Sequence, residues 1–275
     1  LLGTLCLALT WLISQLVLSH PIVNGVIPPN PGQFRFAVSL QFTQQRNGTL
    51  THFCGGTYLG AGWILTANHC IAGFGGTKLY AFIGGGDLNG GNSSDLYQVE
   101  EVISYPHYNR ITLSGDIALL RVNSDYKETG LELLDKTLEN SLLLPSSSKP
   151  HSGSGQPNVL NLVDSSHYWA DELDLSEECH IFGYGSASFY GPGNQTLLQY
   201  GSVQPLGHDQ CVEMLGAVVA PATANSGMFC AIGIADACRG DSGGGLLCRR
   251  RTVTPFEEND NPYTLRGIIS YGIGC

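Results

Sequence analysis

The chain has 275 residues, of which 13% are charged, and its 23 acidic and 13 basic side chains give a formal net charge of -10. A partner rich in phosphate requires a basic face, so this balance excludes a nucleic-acid binder and reads instead as ordinary surface solubility. With 36 glycines and no long charge run or low-complexity tract, the composition describes a loop-rich globular protein long enough for one large core or two smaller ones.

Residues 1–19, LLGTLCLALTWLISQLVLS, are apolar almost throughout and end in the small residues Val17 and Ser19. That pattern suits a secretion signal with a peptidase site after Ser19, a membrane anchor being the alternative. His20 and Pro21 are then a two-residue propeptide. Setting aside Cys6, eight cysteines remain without zinc-site spacing, an even number suited to four disulfides in an oxidising compartment. The sequons at Asn47, Asn92 and Asn194 fit the same location outside the cell, each in polar or Gly-rich sequence. We expect a secreted monomer with no membrane contact once the signal is removed.

Short apolar or alternating runs predict strands at 34–42, 63–66, 79–83, 96–103, 117–122, 179–184, 228–232 and 265–271, their β-branched and aromatic content favouring an all-β, antiparallel protein. Helical spacing occurs at 131–144, ended by Pro145 and a Ser run. The polar stretch 145–176 reads as a linker between two halves, and 249–262, RRRTVTPFEENDNP, as an exposed loop.

Three strings carry chemistry. GDSGG at 240–244 surrounds Ser242 with glycines, which permit a tight turn and let backbone N–H groups approach a substrate carbonyl. TANHC at 66–70 supplies His69, and SGDIALL at 114–120 places Asp116 ahead of a strand. A hydroxyl nucleophile needs a base, a group that orients the base, and donors for an oxyanion. Taken singly, His69 is as well explained as a structural residue and Asp116 as a turn residue.

In the order His, Asp, Ser and together with the cysteines, these strings resemble the chymotrypsin and trypsin family of serine proteases, from IVNG at 22–25 to ISYGIGC at 269–275. The resemblance implies two six-stranded antiparallel β-barrels, the first at about 22–144 and the second at about 177–275, with the active site in the cleft between them. It also implies a further strand and helix after Cys275, without which the second barrel stays incomplete. His69 is then the general base, Asp116 its orienting carboxylate and Ser242 the nucleophile, with the backbone amides of Gly240 and Ser242 as the oxyanion hole. Asp236 falls at the base of the primary specificity pocket and implies cleavage after Arg or Lys, with Ser270 and Gly272 lining the substrate strand. Ile22, as a new N-terminus, is implied to pair with Asp241. The implied disulfides are Cys54–Cys70, Cys179–Cys248, Cys211–Cys230 and Cys238–Cys275.

Several positions depart from the pattern of the family. His20 and Pro21 precede Ile22 where relatives carry a basic residue; Asn68, Gly245 and Tyr184 stand where Ala, Pro and Trp are usual; and Pro28 and Tyr200 occupy the positions of another disulfide. No cofactor or metal is implied. Asp87, Asn89, Asp95 and Glu100 lie where some relatives bind calcium, and read here as a solvated acidic loop. Expected partners are protein or peptide substrates and protein inhibitors. A rival reading is a silent homologue used as a binding module; an α/β-hydrolase esterase is disfavoured, because its order would be Ser, acid, His.

Overall fold

A computed structural model describes residues 22–30, 33–44, 48–90, 95–123, 161–162, 177–186, 196–216, 227–250 and 263–275. The signal at 1–19, the sequon residues Asn47, Asn92 and Asn194, the helix expected at 131–144, the linker apart from 161–162, and the part of the 249–262 loop from 251 onward lie outside these residues.

Strands β1 (Ala37–Thr43), β2 (Leu50–Gly60), β3 (Trp63–Thr66), β4 (Leu79–Ile83), β5 (Leu96–Ser104) and β6 (Ala118–Val122) form a closed barrel in the order β1-β2-β3-β6-β5-β4. All its pairs are antiparallel. In β3 and β6 the side chains alternate between buried and half-buried, the two-residue period of a sheet with one face on a core. β1 instead begins with five buried residues in succession, because the strand also packs against the second half of the molecule.

The second half is a sheet of β7 (Asn161–Leu162), β8 (Glu177–Gly183), β9 (Gln199–Leu206), β10 (Cys230–Ile232), β11 (Gly245–Arg250) and β12 (Thr264–Ile268), in the order β10-β9-β8-β11-β12-β7. The chain is thus all-β with one closed barrel and one curled sheet. The second sheet is open, as expected of an incomplete second barrel; one detail differs, its sixth strand being the short β7, which pairs parallel to β12 from within the stretch read as a linker. Two short helices complete the described chain: α1 (Asn68–Ile71), and α2 (His208–Leu215), which stops at Gly216 with φ +77°.

One core joins the halves. Phe34, Phe36, Val38, Leu40, Ile64, Ile83 and Leu120 of the barrel share a cluster with Phe182, Tyr184 and Leu247 of the sheet, and the Phe34 and Phe182 rings stack at 5.9 Å. Each such side chain contributes about 1.5–3 kcal/mol on leaving water, so the halves are held against each other by the same burial that builds each of them. A smaller core gathers Ile22, Cys179, Ile181, Ala235, Leu246 and Cys248. Disulfides join Cys54 to Cys70, Cys179 to Cys248, Cys211 to Cys230 and Cys238 to Cys275.

Candidate active site

His69 lies in the single turn of α1, directly after β3, and Asp116 immediately precedes β6, the neighbour of β3 in the barrel. Strand pairing therefore brings together residues 47 positions apart. Gly115 makes the approach to Asp116 with φ +67°, and a Cβ there would meet the Tyr105 ring at 2.6 Å. Asp116 Oδ1 accepts the backbone N–H of His69 at 2.7 Å, and Oδ2 lies 2.7 Å from His69 Nδ1. A carboxylate only accepts, so the imidazole carries its proton on Nδ1 and presents Nε2 as a bare acceptor. The Asp116 carboxylate is nearly covered while the His69 side chain is 29% exposed.

Ser270 donates its hydroxyl to Asp116 Oδ2 as well. Burial alone would raise the Asp116 carboxyl, but the hydrogen bonds from the His69 ring, the Ser270 hydroxyl and the His69 backbone outweigh it and hold the group below its usual range. Sequence reasoning gave Ser270 only a backbone contact with substrate. Nothing in the spacing of ISYG points to a hydroxyl aimed back at the other half of the molecule.

Ser242 sits in the turn before β11. Its carbonyl accepts the Gly55 N–H at 2.7 Å, which fastens the loop to β2, and lies 3.6 Å from Cys70 Sγ. The same sulfur is 3.8 Å from His69 Nε2, so the Cys54–Cys70 disulfide flanks both residues. The ligand atoms of Cys54, His69 and Cys70 fall within 4.8 Å of one another, but the two sulfurs are bonded to each other and offer no thiolate to a metal. Gly240 has φ +96°. Among the described residues, neither the Gly240 nor the Ser242 backbone N–H has an acceptor.

A buried polar chain holds Gly240 from behind. His52 Nε2 lies 3.0 Å from the Gly240 carbonyl, His52 Nδ1 lies 2.8 Å from Ser39 Oγ, and Gln41 donates to Ser39 Oγ at 3.1 Å. A carbonyl only accepts, so Nε2 carries the proton, Nδ1 is bare, and the Ser39 hydroxyl donates to it. Burial pushes His52 down to about 4, against the opposing effect of the Gly240 carbonyl. His52 was not singled out from the sequence, where HF between Thr51 and Cys54 carries no signal.

Asp241 is fully buried. Its carboxylate accepts N–H groups from Gly185 at 2.8 Å, from Cys238 at 2.9 Å and from Ile22. Burial pushes it up to about 7 despite these donors, with the Asp236 charge adding to the rise. Gly185 is required here, since a Cβ would stand 2.6 Å from the Asp241 carboxylate and from the Arg239 carbonyl.

Asp236 is exposed and bridges to Val23, whose N–H donates to the Asp236 carbonyl at 2.8 Å. Tyr271 and Ile273 are 45% and 61% exposed, and a Cβ on Gly272 would meet nothing within 4 Å. Partial desolvation still raises the Asp236 carboxyl, opposed by the Ala237 N–H.

The family departures are accommodated individually. Tyr184 is buried and its hydroxyl donates to the Gly86 carbonyl at 2.9 Å. At Gly245 a Cβ would come within 2.6 Å of Thr57 Oγ1, leaving no room for a ring. Tyr200 forms a bridge with Val26. Asn68 is 3% exposed, and its Oδ1 has no hydrogen-bond partner among the described residues. Asp87 and Asp95 line a cavity of about 220 Å³ beside Phe82 and Ile83, with Asp87 Oδ1 accepting the Asn89 N–H at 2.9 Å.

Compared with known proteins, residues 23–275 match the family model described as Trypsin. Relatives include Transmembrane protease serine 7 of Mus musculus, 28% identical over 262 residues covering 93% of this chain and 26% of the relative. Serine protease 56 of Mus musculus is 28% identical over 254 residues, covering 92% of this chain and 35% of the relative. Transmembrane protease serine 7 of Homo sapiens is 28% identical over 261 residues, covering 93% and 25%. The chain therefore spans between a quarter and about a third of the length of these relatives. Among the described residues no helix is long and apolar enough to cross a membrane.

Proposed function

This chain belongs to the trypsin family of serine proteases, and from that premise we propose that it is an exported endopeptidase cutting after Arg or Lys through an acyl-enzyme on Ser242. The observation that carries the reading is the Asp116–His69 pair. A tautomer fixed by a carboxylate leaves Nε2 basic, on a partly exposed ring, with the Ser242 loop fastened alongside. His69 would take the Ser242 proton as the hydroxyl oxygen attacks the carbonyl carbon, then return it to the leaving amine. Water would repeat the cycle on the ester. The unengaged N–H groups of Gly240 and Ser242 suit the developing oxyanion, a contribution of about 100- to 1000-fold per donor. Asp236 supports a cationic side chain in the pocket, and the apolar leader, the four disulfides and the sequons support export.

The domain reading follows: a signal at 1–19, a propeptide at 20–21, and a peptidase domain from 22 onward, with Ile22 as its working N-terminus. The test uses a fluorophosphonate label and matched peptides ending in Arg, Lys, Phe or Ala. Labelling of Ser242, with cleavage after Arg and Lys that vanishes in Ser242→Ala, supports the whole reading. Cleavage after Phe or Ala instead would remove the role of Asp236. An unlabelled, correctly folded chain would favour the binding-module reading.

A further inference from the structure

The connection from β5 to β6 delivers Asp116 to His69, and its tip is open to water: Asn109, Arg110, Ile111 and Thr112 are all exposed, Ile111 at 94%. The hydrogen bonds that shape the tip are local. Asn109 Oδ1 accepts the N–H groups of Ile111 and Thr112 at 2.9 and 3.2 Å, and the Asn109 N–H donates to the Ser114 carbonyl at 2.9 Å. Water replaces such surface partners readily, so drawing the tip out into an extended strand costs little. Leu113 is held at φ +56°, a conformation that a residue with a Cβ resists, and opening the loop relieves it.

A peptidase that holds Arg or Lys in a pocket needs the residues on both sides of that cation as an accessible, extended strand. Arg121, Arg249, Arg250 and Arg266 lie within the paired strands β6, β11 and β12. Arg35 stands between the buried rings of Phe34 and Phe36, Lys78 leads directly into buried Leu79 of β4, and Arg239 leads into the loop of Gly240 and fully buried Asp241. Among the described residues, Arg110 is the cation with exposed neighbours on both sides.

The disulfides decide what a cut at that point would do. Cys54–Cys70 closes before position 110, and Cys179–Cys248, Cys211–Cys230 and Cys238–Cys275 all close after it, so no disulfide crosses the Arg110–Ile111 bond. Pro28 and Tyr200, the positions of another disulfide in relatives, hold no sulfur that could bridge the two pieces. The piece ending at Arg110 keeps His69, and the piece beginning at Ile111 keeps Asp116 and Ser242. Only packing and strand pairing then hold base and nucleophile together, and the stretch that aims Asp116 at the imidazole starts from a loose end. Resting on the protease reading above, we infer that Arg110–Ile111 is a self-cleavage site through which one copy of this chain switches off another. Ser242 of the attacking copy bonds to the Arg110 carbonyl carbon, and the Ile111 nitrogen leaves as an amine. Water then frees the Arg110 carboxylate and restores the serine, so one water is consumed and no other reactant. The attack passes between copies, because the loop that is cut carries the Asp116 that its own His69 requires.

The experiment incubates the full active chain at a low and a high concentration, alone and with immobilised trypsin that is removed before assay. Fluorophosphonate labelling and turnover of an arginine ester at the start gauge the protease reading by itself. Non-reducing gels, N-terminal sequencing and turnover are then followed with time. We expect a new end beginning at Ile111, two pieces that part on the gel without reductant, and faster nicking at the higher concentration. Fully nicked enzyme should have a kcat at least about tenfold lower, as expected when the carboxylate that orients the base is no longer held. Arg110→Gln should begin with the same turnover and keep it. Turnover that survives complete nicking, or that Arg110→Gln loses as fast as the wild type, would overturn the inference. Nicking at a rate independent of concentration would overturn the attack between copies. A bond that stays intact under both treatments, in a chain that labels and turns over, would overturn the site and leave the protease reading standing. A chain that neither labels nor turns over at the start would sink the protease reading, and the self-cleavage with it.

Discussion

Acidification should weaken the fold through His52, and the size of the effect can be worked from its surroundings. The ring is 4% exposed, accepts from Ser39 at Nδ1 and donates to the Gly240 carbonyl from Nε2, so a second proton on Nδ1 would face a hydroxyl already committed as a donor. In the unfolded chain the imidazole takes that proton near its ordinary value of 6.5; in the folded chain it does so only near 4. The unfolded state therefore binds more protons throughout this window. Stability from this source is complete above about 6.5 and drains away as the pH falls toward 4, a loss on the order of 3 kcal/mol at about 1.4 kcal/mol for each unit. Urea unfolding at pH 8 and pH 4, on the wild type and on His52→Phe, isolates it, because the other groups titrate in both proteins. The variant should be the less stable at pH 8, having lost two buried hydrogen bonds worth about 1 kcal/mol each. The gap between the two should then shrink by about 3 kcal/mol at pH 4. A gap unchanged by pH would refute the assignment of His52 as a neutral, buried strut behind Gly240.

Ser270→Ala removes a charge-assisted donor from Asp116 and should lower kcat about tenfold with KM little changed, measured on an arginine ester. Gly185→Ala forces a methyl against the Asp241 carboxylate and should destabilise by about 1–3 kcal/mol or more, seen as a lower thermal midpoint together with lost fluorophosphonate labelling. Asp241 supplies a pH signature of opposite sign to that of His52. Its folded value, pushed up to about 7 from 3.8, means that the uncut chain is most stable below about pH 4 and loses stability as the pH rises toward 7. Calorimetry of the uncut and Ile22-terminated forms should show that decline in the first and its suppression in the second; matching profiles would argue against any pairing of Ile22 with Asp241.

Most barrel strands were legible because their residues obey the period of a half-buried sheet: 63–66 and 79–83 were read with the boundaries that the structure gives them. Strands β2, β9 and β11 were not, and their glycines explain why. Propensity counts Gly against a strand, yet at Gly56 in β2 a Cβ would press to 3.0 Å on Ile64 Cγ2, at Gly201 in β9 to 2.2 Å on Ala235 Cβ, and at Gly245 in β11 to 2.6 Å on Thr57 Oγ1. Tertiary crowding selects these glycines, and no local rule sees it. The site divides in the same way. His69, Asp116 and Ser242 stand in recognisable strings, whereas Ser270 and His52 act across 154 and 188 positions of sequence on partners that only folding brings near.

Where the nucleophile loop meets the barrel, glycine main chain lies against glycine main chain, with Thr66 Oγ1 and Cys70 Sγ as the neighbouring side-chain atoms. The Gly55 amide holds the Ser242 carbonyl, a Cβ on Gly55 would stand 3.0 Å from Gly244 N, and one on Gly243 would collide with Thr66 and Gly55. At the glycines of this joint there are no rotamers to relax, so main-chain contact adds to the shared core in setting the distance between the halves. Mutation can reshape the surrounding loops, and with them the choice of substrate, while the spacing between a base on one half and a hydroxyl on the other is inherited unchanged. The same bareness makes the joint intolerant: any residue larger than glycine there acts as a wedge, and its effect would be felt as misalignment before it was felt as unfolding.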